Sequence, residues 1–338
     1  MQNHKSIQLN CGVFTISLDF ELIWRALDLY GPGKFRHACE IERFEIIDRL
    51  LQLFIEFNIS ATWFVVGHLF LTSCEKVNGR KHPEIMRSDS GVDWFQHDPS
   101  TNEENAPLFY GRSLIEKIRD CSVFQEIGLH SFSHVIFDEV SCSRETAESE
   151  LVAGLHAAQE LGIQPRSFAF PRNVVGHLEA LSKYGFVCYR GVESYWYQKG
   201  NWPVWIKRSA HFFDVLRAAK PSVVLPEQTV DGLLNIPGSM IYFPKHGIRQ
   251  YIPMVLRVNR AIKGLEAAVR EWKIFHLWFH PSILAYDKEK MFSGLRKILD
   301  HASSLRDSGK LMIMPMEEIS QRCFSCIKPN MNYLQLVD

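Results

Sequence analysis

The residues of this 338-residue chain best suited to moving protons and holding cations fall at the ends of apolar runs. Asp19-Phe20-Glu21 closes the run Val13 to Leu22, in which apolar residues take the even positions and Thr15, Ser17, Asp19 and Glu21 the odd ones. Side chains two apart on a strand share a face, so both carboxylates point the same way. Two such charges repel unless a cation sits beside them; the plainer reading is a pair of strand-end acids in ordinary salt bridges. His130-Ser131-Phe132-Ser133-His134 sets two imidazoles one helical turn apart, a spacing that presents both to one ion. Ser131 stands where zinc proteases of the H-E-x-x-H kind carry their base, so a base must come from elsewhere; alternatively these are two hydrogen-bonded histidines at a turn. In Phe275-His276-Leu277-Trp278-Phe279-His280-Pro281, His276, Trp278 and His280 alternate onto one face. His280, before a proline at a strand end, suits a general acid near neutral pH, or a partly buried histidine that satisfies backbone groups. In Phe168-Ala169-Phe170-Pro171-Arg172-Asn173, Arg172 is either a two-pronged partner for a carboxylate or a surface arginine.

Holding these groups together calls for strands that end at a common mouth. Strand-like runs are read at 13–22, 60–67, 126–131, 167–172, 187–191, 233–236, 275–280 and 311–315. Helical periodicity covers Glu42 to Phe57 and the stretch 143–161, with Ser143 as cap. The alternation predicts an α/β fold. Residues 75–120 break the rhythm with Asn78-Gly79, Asp98-Pro99 and Asn105-Ala106-Pro107, and read as a long excursion after the second strand, near the site. The aromatic segment Tyr195 to Trp205 reads as another loop, whose rings suit a sugar face, a lipid headgroup layer or simple burial. Pro237-Gly238-Ser239 ends a further strand and is a candidate contributor to the pocket.

The composition fits a globular protein: 46% hydrophobic and 22% charged. With 38 basic and 38 acidic residues there is no footprint for nucleic acid. The start MQNHKSIQLNCGVF has no apolar signal core, and no apolar stretch of about 20 residues is present, so the expectation is a cytoplasmic protein with no transmembrane segment and only peripheral membrane contact. Its eight cysteines are then expected as free thiols, and the lone Cys323-x-x-Cys326 lacks the second pair of a zinc ribbon.

Taken in order, D-x-E, H-S-x-S-H, F-P-R-N and W-F-H resemble the motifs of the polysaccharide deacetylase superfamily, carbohydrate esterase family four, over residues 13 to 319. The closing Met314-Pro315-Met316-Glu317-Glu318-Ile319 is similar too. The resemblance implies a distorted (β/α)7–8 TIM-like barrel, one domain over 1–338 with long loop insertions. It implies a divalent metal, zinc or else cobalt, nickel or iron(II), held by Glu21, His130 and His134. Asp19 corresponds to the general base and His280 to the general acid; Trp278 takes the place of the residue lining the acyl pocket. The second carboxylate normally follows the first directly; here Phe20 stands there and Glu21 one further on, as in some divergent members. The family's arginine precedes the proline, whereas Arg172 follows Pro171; it is assigned here as the partner of Asp19. Pro171, Tyr189 and Arg190 are assigned to substrate binding, with Arg190 or Glu193 suited to a phosphate or an acid sugar. The family's usual Asp supporting the acid is not evident.

The implied activity is hydrolysis of an N-acyl group, most simply N-acetyl, from a sugar or saccharide, nucleotide- or lipid-linked, in surface polysaccharide biosynthesis. The competing readings are a deformylase, a metal-free amide or ureide hydrolase of the same superfamily, and an inactive glycan-binding barrel. Retention of Asp19, His130, His134 and His280 together speaks against the last.

Overall fold

The computed structural model of the protein describes residues 5–25, 27–87, 91, 93–193, 203 and 217–327. The run of alternating residues forms strand β2 (Gly12–Phe20), following a two-residue β1 (Lys5–Ser6). The sequence carries the alternation to Leu22, but the strand stops at Phe20, and Glu21 leads into a single 3₁₀ turn, Leu22–Trp24. From β2 the chain runs through β3 (Thr62–Val65), β4 (Glu126–Leu129), β5 (Ser167–Ala169), β6 (Cys188–Arg190), β7 (Glu227–Gln228), β8 (Leu234–Asn235), β9 (Met240–Ile241), β10 (Ile274–Phe279) and β11 (Leu311–Ile313).

Parallel pairing carries the sheet from β2 through β3, β4, β5 and β6 to β8. The segment from β8 to β9 then serves two neighbours. Its first half bonds to β6, with the Ile236 N–H on the Tyr189 carbonyl at 3.0 Å, and its second half bonds to β10, with the Ser239 N–H on the His276 carbonyl at 2.9 Å. Because β10 pairs with β2 in parallel, from Ile274 against Val13 to Phe279 against Leu18, the ring closes. Counting β8 and β9 as one position, the barrel is the seven-stranded case of the expected architecture. Strand β11 continues the β3 side of β2, and β7 forms an antiparallel flap with β1 and β8.

The two faces of β2 divide the core. Phe14, Ile16, Leu18 and Phe20 point outward and pack under the helices, in one cluster with Leu50, Leu53 and Phe54 of α3 (Ile47–Phe57). The earlier helices, α1 (Leu27–Tyr30) and α2 (Arg36–Ile41), lead into it, and Asn58 stops it in the left-handed region at φ 49°. Val13 points inward with Phe64, Ala169, Cys188, Leu234, Ile236 and Ile274. That interior is closed from below by Ile319 and Cys323 of the last helix, Met316–Ile327. Its first turn is seated by Thr62 Oγ1, which accepts from the Met316 N–H at 3.0 Å, and by Glu126, which accepts from the Glu317 N–H at 3.0 Å. The remaining helices are α4 (Arg112–Arg119), α5 (Arg144–Gln159), α6 (Leu178–Lys183), α7 (Met254–Glu271) and α8 (Lys288–Asp307), which makes the closing helix α9. Ser143 caps α5 as read, its hydroxyl accepting from the Thr146 N–H at 3.2 Å.

The excursion runs from Leu71 to Gly111 without a regular strand or helix among its described residues, and the last part of the stretch read as loop is helix α4. It folds back onto the barrel through Ile85, Trp94, Phe95 and Phe109, all buried. The aromatic segment 195–205 lies, apart from Pro203, outside the described residues. Among the described residues no helix is long and apolar enough to cross a membrane. Cys11, Cys39, Cys74, Cys121 and Cys188 carry free thiols.

Candidate active site and metal centre

At the mouth of the barrel the strand ends bring Asp19, Glu21, His130, His134, Arg172, Trp278 and His280 around one cavity of about 220 Å³. A wider groove of about 580 Å³ between α3 and α4, lined by Asp48, Glu116 and Lys117, gathers no histidine.

Both imidazoles of the H-S-x-S-H segment converge on a single oxygen. Glu21 Oε1 lies 2.9 Å from His130 Nε2 and 3.2 Å from His134 Nε2, with all three residues buried. The segment is a loop, not the helical turn its spacing suggests, because Ser131 and His134 adopt left-handed backbone at φ 53° and 66°. Glu150 of α5 imposes that shape: it accepts from the backbone N–H of Phe132 and of Ser133, each at 2.8 Å, and from the Ser133 hydroxyl at 2.6 Å. Ser133 therefore anchors the loop.

These residues fit a divalent metal. The His130 Nδ1–H donates to the Ala169 carbonyl at 2.7 Å, which leaves Nε2 with its lone pair facing a carboxylate oxygen. Two acceptors at that distance call for a cation or a proton between them. Burial drives the pKa of His134 down against the attraction of Glu21, favouring the neutral, ligating imidazole. Burial opposes the charge on Glu21, but the neighbouring His280, His134 and His130 overcome it and hold its pKa well below the usual carboxylate range. Its second oxygen is buried with no hydrogen-bond partner. One carboxylate and two imidazoles form a donor set suited to zinc with positions left open.

Beside this set lie Asp19 and His280. His280 Nε2 is 3.4 Å from Glu21 Oε2 and 3.7 Å from Asp19 Oδ2. Asp19 is gripped by Arg190, whose two terminal nitrogens donate to its two oxygens at 2.5 and 2.7 Å. Burial would raise the Asp19 pKa; Arg190 and the nearby histidines outweigh it and keep the group ionised. Behind Arg190 a polar chain runs through the barrel. The guanidinium also donates to Ser17 Oγ at 3.3 Å, Ser17 lies 2.8 Å from His276 Nε2, and His276 Nδ1 lies 3.2 Å from the Pro237 carbonyl. Burial and the charge of Arg190 push the His276 pKa down to about 3, so this imidazole stays neutral.

The structure departs from four sequence assignments. Arg172 does not reach Asp19: it reaches across the rim to Asp28, donating to both oxygens at 2.5 and 2.6 Å, because Arg172 and Asn173 take left-handed backbone at φ 55° and 56°. Asn173 turns inward instead, its Oδ1 accepting from Arg190 at 3.3 Å. Arg190 is buried and committed to Asp19, not presented to a phosphate or acid sugar. Tyr189, one residue earlier on the strand, faces outward, edge-on to the Phe170 ring at 5.6 Å. Pro171 is buried at the start of its 3₁₀ turn while Phe170 lines the cavity. Trp278 does line it; its ring lies 4.3 Å beneath the Arg190 cation, and its N–H donates to Glu193 at 2.6 Å. Glu150 and Asp28 carried no signal in the sequence beyond their types, and Asn173 only its place in F-P-R-N.

No family model matches the chain, and no curated protein matches it in sequence. Solved structures do match in fold. A Mycobacterium smegmatis protein described as a polysaccharide deacetylase aligns with a TM-score of 0.63 at 14% identity, over 97% of this chain and 96% of its own. The allantoinase Puue aligns with a TM-score of 0.59 at 12% identity, over 94% of this chain and 92% of its own. A Pseudomonas aeruginosa protein described as a polysaccharide deacetylase gives 0.58 at 12% identity with the same coverage. The chain therefore shares its fold with these proteins over nearly its whole length.

Proposed function

We propose that this protein is a divalent-metal-dependent hydrolase that removes an N-acyl group, most simply N-acetyl, from a sugar or saccharide. The observation that carries the reading is the convergence of His130 Nε2 and His134 Nε2 on one oxygen of Glu21, with Asp19 and His280 alongside. Glu21, His130 and His134 would hold the ion, with zinc favoured by the donor set. When bound, it supplies Lewis acidity to a carbonyl oxygen and acidifies water. Asp19, ionised and fixed by Arg190, takes the proton of the attacking water. His280 delivers a proton to the leaving amine. Trp278 and Phe170 form the apolar wall against which an acyl methyl packs. Arg172 and Asp28 stand at the rim, where the rest of a saccharide passes.

We read residues 1–338 as one barrel domain, and the protein as cytoplasmic. The shift of the second acid to Glu21 resembles the divergent members of the superfamily associated with surface polysaccharide synthesis, so the substrate we favour is a nucleotide- or lipid-linked N-acylated precursor. A metal-free amide or ureide hydrolase is the second reading, favoured by the shared fold with an allantoinase. Elemental analysis of tag-free protein separates the two when wild type is compared with His130→Ala. Loss of about one metal equivalent in the variant, together with amine release from N-acetyl or N-formyl sugars by wild type only, supports the proposal. Full turnover by metal-stripped protein would discard it.

A further inference from the structure

A second set of metal-type side chains lies outside the mouth, where the excursion meets the barrel. His68 follows β3 on a 3₁₀ turn, and Cys74, His82 and Asp98 come from the excursion itself. One ligand atom from each lies within 4.8 Å of every other. The individual separations are 3.7 Å from Cys74 Sγ to His68 Nε2, 3.3 Å from Cys74 Sγ to Asp98 Oδ2, 3.6 Å from His68 Nε2 to Asp98 Oδ2 and 3.3 Å from His82 Nε2 to Asp98 Oδ2. Ligands bound at about 2.0–2.3 Å to a tetrahedral ion are about 3.3–3.8 Å apart. His82 Nε2 is buried and makes no aligned hydrogen bond, though it points into the cluster.

We propose that His68, Cys74, His82 and Asp98 bind a zinc ion in a closed, four-ligand structural site that fastens the excursion onto the loop carrying His130 and His134. Charge favours this occupant: a thiolate, a carboxylate and two neutral imidazoles balance a dication in a buried place. The surrounding contacts are those of a prepared site. His68 Nδ1–H donates to the Phe109 carbonyl at 3.0 Å, and His82 Nδ1 lies 3.2 Å from Glu84 Oε1, so each ring turns Nε2 inward. Asp98 Oδ1 accepts from the Ser100 N–H at 2.9 Å, which leaves Oδ2 for the ion. The thiolate selects zinc over magnesium or calcium. None of the four residues lines the active-site cavity. The rings of His68 and His82 instead press on Phe132, between His130 and His134, at 5.7 and 5.2 Å.

The two centres differ in one readable respect: only this one has a sulfur ligand. Protein produced in cobalt-supplemented, zinc-depleted medium should therefore show a sulfur-to-cobalt charge-transfer band in wild type and in His130→Ala, and no such band in Cys74→Ser. By elemental analysis, His130→Ala should retain about one zinc, and the double variant His130→Ala with Asp98→Ala should retain none. Absence of the band from cobalt-loaded wild type, or its persistence in Cys74→Ser, overturns the proposal whatever becomes of the hydrolase reading. Should Cys74→Ser be insoluble, the spectrum of His130→Ala decides, since that variant cannot owe a thiolate band to the other centre.

Discussion

Arg190 closes on both oxygens of Asp19 from a strand on the far side of the barrel, 171 residues away in sequence, and both groups are sealed from solvent. The pair explains how an acid buried beside a second acid stays charged. Removing the cation strands a carboxylate, a change that costs about 3–5 kcal/mol in buried pairs. Arg190→Gln should lose stability of that order in denaturant titration. In whatever fraction remains folded, the Asp19 pKa rises and the acid limb of the pH–rate profile moves to higher pH. An unshifted limb would deny Asp19 its role as base.

His280 is expected to matter in proportion to how badly the leaving group needs a proton. His280→Asn should slow release of an amine from an N-acetyl sugar by about 10²-fold or more. Hydrolysis of a nitrophenyl acetate, whose leaving group departs unprotonated, should fall much less. Equal losses on both substrates would assign His280 to positioning.

Glu150 touches neither the metal set nor the cavity, yet it shapes the loop that presents both imidazoles. Glu150→Ala should weaken metal retention about 10–100-fold in chelator competition, the usual scale for an outer partner of a metal ligand. Unchanged retention would mean that Ser133 and the backbone hold the loop unaided.

Glu42 supplies a pH prediction. Burial first, and then the negative charge of Glu21, raise its pKa well above the ordinary value against the pull of Arg25. A folded pKa above the unfolded one gives a contribution fully present below about pH 4.3, the ordinary Glu value, and lost as pH rises through the folded pKa. Glu42→Gln keeps the shape without the charge. Its melting temperature should therefore gain on wild type as pH increases from acid to neutral. A constant difference would show that Glu42 titrates normally.

Much of this was legible in the sequence. Period-two alternation marked β2, and apolar runs marked β3 to β6, β10 and β11. Residue type and spacing singled out the two acids and three histidines now found at one mouth. What failed depended on closure of the ring. The run at 233–236 marked β8, but strands as short as β7 and β9 are too brief to show a period. Arg190 and Arg172 are equally good partners for an acid on paper; the barrel's curvature and two left-handed residues decide between them. His68, Cys74, His82 and Asp98 escaped notice as a set because they share no short motif and are spread over 31 positions, from the end of β3 into a stretch that reads as turns.

Closure also sets an order of events during synthesis. Strand β2 emerges early, but its partners β10 and β11 lie at the far end of the chain; Ser17 meets His276 across 259 residues. Until those strands leave the ribosome, β2 has only β3 beside it, and its other edge offers unpaired backbone to any passing strand. The half-made chain is thus the aggregation-prone form, and truncations that remove β10 should need a chaperone that the full-length protein can do without.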